Sequence, residues 1–155
     1  MCYRARRYDD AIRAARQALE FDAALVNALW WEGMSYAGER DYPRSIASLM
    51  TAVRMSGNPI MNAMLGNVYG LAGQRNDALR LVKEHSRLAK QRYVSPMDFA
   101  VMYAGLGDVD QAFHWLDLSY KARSPRVHEL TFTYFDRLRS DTRYREFATR
   151  VGLPI

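Results

Sequence analysis

Three histidines, His85, His114 and His128, are the side chains best suited to hold a metal or move a proton near neutral pH. No two stand four residues apart on one helix face and none has a cysteine partner at ligand spacing, so the sequence implies no metal centre. Asp108 and Asp110 could share acid–base work, but they flank a turn, where helix capping accounts for them. Residues 105–108, GLGD, lack the preceding strand and the lysine of a phosphate-cradling loop. Ser35 and Ser48 have no base in their neighbourhood, and Cys2, the single cysteine, has no internal disulfide partner, which fits a reducing, cytoplasmic compartment. The expectation is a chain that is not an enzyme and uses no cofactor.

Binding chemistry remains. Arg80, Lys83, Arg87 and Lys90 recur at helical spacing opposite Ala78, Val82, His85 and Ala89. Such a stripe suits an acidic partner or a phosphate backbone, although a solvated outer face explains it more simply. No aromatic residues alternate with it as single-strand binding requires, so no specific nucleic acid is expected. A net charge of +5 over 155 residues is too small to imply nucleic acid alone. No apolar run approaches the ~20 residues of a membrane span, and no hydrophobic segment follows the N-terminal arginines, so neither membrane insertion nor a secretory signal is expected.

The elements that carry these residues are helices. Apolar periodicity with proline, glycine and capping residues at the breaks predicts helices over about 8–21, 24–37, 43–55, 59–71, 76–90, 96–106, 108–122 and 140–150. Pro43, Pro59 and Pro96 stand in first turns, where the missing N–H costs nothing. No stretch alternates as a strand would, so the chain is expected to be all-α.

A period runs through these helices. Tyr36, Tyr69 and Tyr103 lie 33 and 34 residues apart, and Ala11, Ser45, Ala78 and Ala112 lie 34, 33 and 34 apart. Leu29, Gly33, Tyr36, Ser45, Leu49 and Ala52 fill one unit; Leu65, Gly66, Tyr69, Ala78 and Val82 the next; Phe99, Ala100, Tyr103, Ala112, Leu116 and Ser119 a third. These residues resemble the tetratricopeptide repeat, W-x2-L-G-x2-Y then A-x3-F then A then P. The departures are a missing Trp in the leading slot, His85 where alanine is preferred, and Arg6 and Arg40 in a turn slot that Gly73 and Gly107 fill elsewhere. The resemblance implies a right-handed α-solenoid of antiparallel helix pairs, in which small residues allow close approach and neighbouring pairs bury each other. Its units are a half repeat over 1–23, repeats over about 24–57, 58–91 and 92–124, and a capping segment over 125–155.

Residues 93–125, with the LRSD-x-R-Y-x-x-F segment from Leu138 to Phe147, also resemble the C-terminal tetratricopeptide region of bacterial regulatory proteins. Those proteins carry winged-helix, nucleotide-cyclase or kinase domains at the other end. The resemblance implies the interaction part of a signalling protein. Starting in the second helix of a repeat, the chain is expected to be a fragment or a shortened version of such a protein.

In that family the first helix of each pair lines a concave groove. Its inward slots fall here on Asn27, Trp30, Met34 and Ala37, then Ile60, Ala63, Asn67 and Gly70, then Val94, Met97, Val101 and Ala104. The implied surface is apolar and adaptable, suited to a protein or peptide partner with apolar anchors. It could equally be covered by absent N-terminal helices or a second copy. A homodimer through this face, or through the incomplete N-terminal end around Tyr3 and Tyr8, is the alternative. Trp30 and Met34 stand where a carboxylate clamp would need lysine and asparagine, so no chaperone-tail binding is expected.

Overall fold

The computed structural model describes residues 6–154; Cys2 and Tyr3 fall outside the described residues. Helices follow one another without strands among these residues: α1 Tyr8–Phe21, α2 Val26–Gly38, α3 Tyr42–Ser56, α4 Pro59–Leu71, α5 Arg75–Leu88, α6 Pro96–Leu106, α7 Val109–Lys121 and α8 Thr142–Arg150. Two short 3₁₀ helices, Pro125–Thr131 and Thr133–Leu138, stand between α7 and α8. None of the helices is long and apolar enough to cross a membrane.

Local chemistry fixes the helix starts. The side chains of Asp41, Asn58, Ser95, Asp108 and Asp141 each accept a hydrogen bond from a backbone N–H in the first turn that follows. The helix ends repeat. Asp41 N–H donates to the Tyr36 carbonyl at 2.8 Å, Gln74 to Tyr69 at 2.8 Å and Asp108 to Tyr103 at 3.1 Å. Each of these six-residue returns passes through a left-handed residue, Arg40, Gly73 or Gly107, at φ of 63°, 79° and 73°. Arg6, at φ 58°, takes the same conformation immediately before α1. One backbone turn therefore recurs at residues 40, 73 and 107, and Arg6 shares its left-handed φ.

Successive helices pack on each other, and α2, α4 and α6 also meet along one side. The small slots are interior: Ser45, Ala78 and Ala112 are fully buried, as are Ala52, His85 and Ser119 one helical turn and more beyond them. The closest approach is between α4 and α6, where a Cβ on Gly70 would lie 2.4 Å from the Gly105 carbonyl carbon. Only glycine permits that distance.

The segment from 125 to 138 lies against α6 and brings Leu130, Phe132, Tyr134, Phe135 and Leu138 into the same core as Met34, Met97 and Val101. We call it the strap. Beyond it, α8 seats Tyr144, Phe147 and Ala148 in the core and joins α7 through Arg143–Asp110 at 2.9 Å and Arg150–Asp117.

Candidate functional site

The chemistry-bearing side chains gather where the strap crosses the side formed by α2, α4 and α6. Asp98 stands in the apolar first turns of α6 with its side chain 2% exposed. Arg126, at the start of the strap, donates from Nη1 to Asp98 Oδ1 at 2.6 Å and from Nε to Glu129 Oε1 at 2.7 Å. Tyr134 Oη donates to Glu129 Oε2 at 2.8 Å. Burial pushes the Asp98 carboxyl up, with the Arg126 guanidinium opposing it. One cation thus holds two carboxylates in a region almost closed to water.

Further along, the amide of Asn67 donates to the Val101 carbonyl at 2.8 Å and to the Tyr134 carbonyl at 3.3 Å. Arg137 Nη1 donates to the Gly105 carbonyl at 2.5 Å. At the far end Arg6 Nη2 meets Asp136 Oδ2 at 2.9 Å. The strap is held at its start by α6, in its middle by α4, and at its end by the residue preceding α1.

His85 lies in the interior beside this network. Its Nε2–H donates to the Pro59 carbonyl at 3.1 Å and its ring meets Phe99 edge-on at 5.8 Å. Burial lowers its pKa, with Asp98 acting against the shift. Among the described residues no group of three or more His, Cys, Asp and Glu side chains is placed to hold a metal ion.

The strap corrects the expected groove. Met34 is 1% exposed, Asn67, Met97 and Val101 are fully buried, and Val94 is 9% exposed. These five do not line an open surface, because the strap's own apolar side chains share their core. Asn27 is exposed, and Trp30 and Ile60 are half-buried. Only these three of the eight remain accessible, at the starts of α2 and α4. Cover for the buried residues comes from the C-terminal segment. Close to Asn27 in the chain, Phe21 and Leu25 are exposed at 91% and 40%.

On the outer side, Arg80, Lys83, Arg87 and Lys90 are all exposed around a shallow hollow of about 500 Å³. Arg80 is paired with Asp77 at 3.2 Å and Glu84 at 3.4 Å. The free charge of the stripe is therefore carried by the other three.

Asp98, Arg126, Glu129 and Tyr134 were not among the residues picked out by spacing. One signal was present: Asp98 interrupts the apolar run PMDFAVMY, and a carboxylate in such a run needs a buried partner. Its partner lies 28 residues away on a segment without periodicity.

No family model matches the chain, and neither a curated protein nor a solved structure does so.

Proposed function

We propose that this chain is a non-catalytic scaffold of the tetratricopeptide kind that binds a protein partner, serving as the interaction part of a cytoplasmic bacterial signalling protein. The repeated turn at residues 40, 73 and 107, with buried small residues in equivalent slots, supports the right-handed solenoid reading. The observation that carries the binding reading is the strap. The side formed by α2, α4 and α6 already holds an irregular polypeptide segment, using side chains such as Asn67 to grip its backbone. The same chemistry would hold a segment of another chain.

With the strap in place, the partner is taken at the open end of that side, on Asn27, Trp30 and Ile60 beside Leu25 and Phe21. There exposed Phe21 and Leu25 adjoin half-buried Trp30 and Ile60. Photo-crosslinking in cells tests this, with the reactive side chain placed at position 27 and, as control, at position 86 on the outer face. The scaffold reading expects one discrete adduct from position 27 that Trp30→Ala abolishes and position 86 does not give. An adduct of twice the chain's own mass would replace it with self-association. No adduct, or the same smear from both positions, would remove it.

A further inference from the structure

The strap encloses a cavity of about 520 Å³ between itself, the residues preceding α1, and the end of α2. Three guanidiniums line it, from Arg6, Arg40 and Arg137, against one carboxylate, Asp136. Arg6 is paired with Asp136 and Arg137 bonds a carbonyl, whereas Arg40 makes no ion pair among the described residues. The lining therefore carries two positive charges in excess.

Arg6 and Arg40 have something further in common. Both have a left-handed backbone, and Arg40 stands in the slot of the repeated turn that Gly73 and Gly107 fill further along the chain. Glycine adopts that conformation freely, whereas a side chain there costs roughly 1 kcal/mol. Of the three left-handed arginines among the described residues, Arg6 and Arg40 line the same cavity, whereas Arg123, at φ 51°, follows α7 and stands apart from it. Backbone strain that a fold could relieve by a single substitution marks functional positions.

We propose that this cavity binds a phosphate monoester, its phosphate taken by Arg6, Arg40 and Arg137 and its organic body lying against Tyr8 and Tyr42. A phosphate dianion matches the excess charge, and the guanidinium fork matches its oxygens. The volume lies within the range of small-molecule sites and exceeds what phosphate alone would fill.

The test is calorimetry and thermal melting of the full chain with phenyl phosphate and with inorganic phosphate. Phenyl phosphate should bind and raise the melting point, with inorganic phosphate weaker. Arg40→Gly should weaken phenyl phosphate by tenfold or more, since a charge-assisted bond contributes about 1.5–3 kcal/mol. The same variant should melt at or above the wild-type temperature without ligand, because glycine removes the strain. A Lys83→Ala, Arg87→Ala variant should bind as wild type does. The proposal is overturned if phenyl phosphate does not bind, if inorganic phosphate binds equally, if Arg40→Gly retains affinity, or if the outer-face variant loses it.

Discussion

Arg126 reaches Asp98 at 2.6 Å from the far side of the core, and Asp98 is almost wholly shielded from water. Removing the shared cation leaves two shielded carboxylates, Asp98 and Glu129, without compensation. Arg126→Met should therefore lower stability by about 3–5 kcal/mol in urea unfolding. Replacing the cluster together, as Asp98→Leu, Arg126→Met and Glu129→Gln, should recover most of that loss. If the single and triple variants unfold at the same urea concentration, the cluster is not acting as a unit.

Asn67 grips the strap through its amide, and its Oδ1 is buried without a hydrogen-bond partner among the described residues. Asn67→Ala should remove both hydrogen bonds at a cost of about 2 kcal/mol. Hydrogen exchange should show the change first in residues 132–138, ahead of α1 and α3. Unchanged exchange in that segment would mean that its apolar side chains alone hold it.

Two glycines only three residues apart should respond to alanine for different reasons. At Gly70 the added Cβ meets the backbone of residues 105 and 106 within 2.5 Å, so α4 and α6 must separate. At Gly73 it meets nothing within 4 Å, and only the φ of 79° resists it. Gly73→Ala should cost about 1 kcal/mol by backbone strain, and Gly70→Ala up to about 3 kcal/mol by overpacking. Equal unfolding midpoints for the two would refute the tight crossing.

Asp141 caps α8, and its hydrogen bonds with the Arg143 side chain and backbone N–H hold its carboxyl at about 2, below the ordinary 3.8. A depressed carboxyl stabilises the fold at pH above the unfolded value and loses that contribution as pH falls towards the folded one. The melting-point gap between wild type and Asp141→Ala should be widest near neutral pH and narrow between about pH 4 and 2. A gap that stays constant across this window would show that the charge plays no part in the cap.

Most of the helix limits were legible because their causes are local. Pro59, Ser95 with Pro96, Gly57 and Gly107 mark starts and stops within one turn of chain, and the helices begin or end there. The period of 33 and 34 was legible for the same reason, since each turn needs its own left-handed residue. The strap was not legible as more than a capping segment. Its short 3₁₀ turns have no apolar period, and Leu130 and Phe135 are buried only because helices distant in the chain, α7 and α6, lie there to receive them. That one long-range docking also decided which groove residues stayed accessible, so Asn27 and Trp30 could not be told from Met34 and Asn67 by slot alone.

The contact of Arg6 with Asp136 joins the beginning of the helix stack to its end. Repeat stacks are ordinarily open chains, in which units can be added and stability spreads only between neighbours. Here the strap works as a ruler. A helix pair inserted between α2 and α6 would carry Arg6 out of reach of residue 136, so the strap's length matches the number of helices it spans. It also brings the chain just before α1 into contact with residues more than a hundred positions further on.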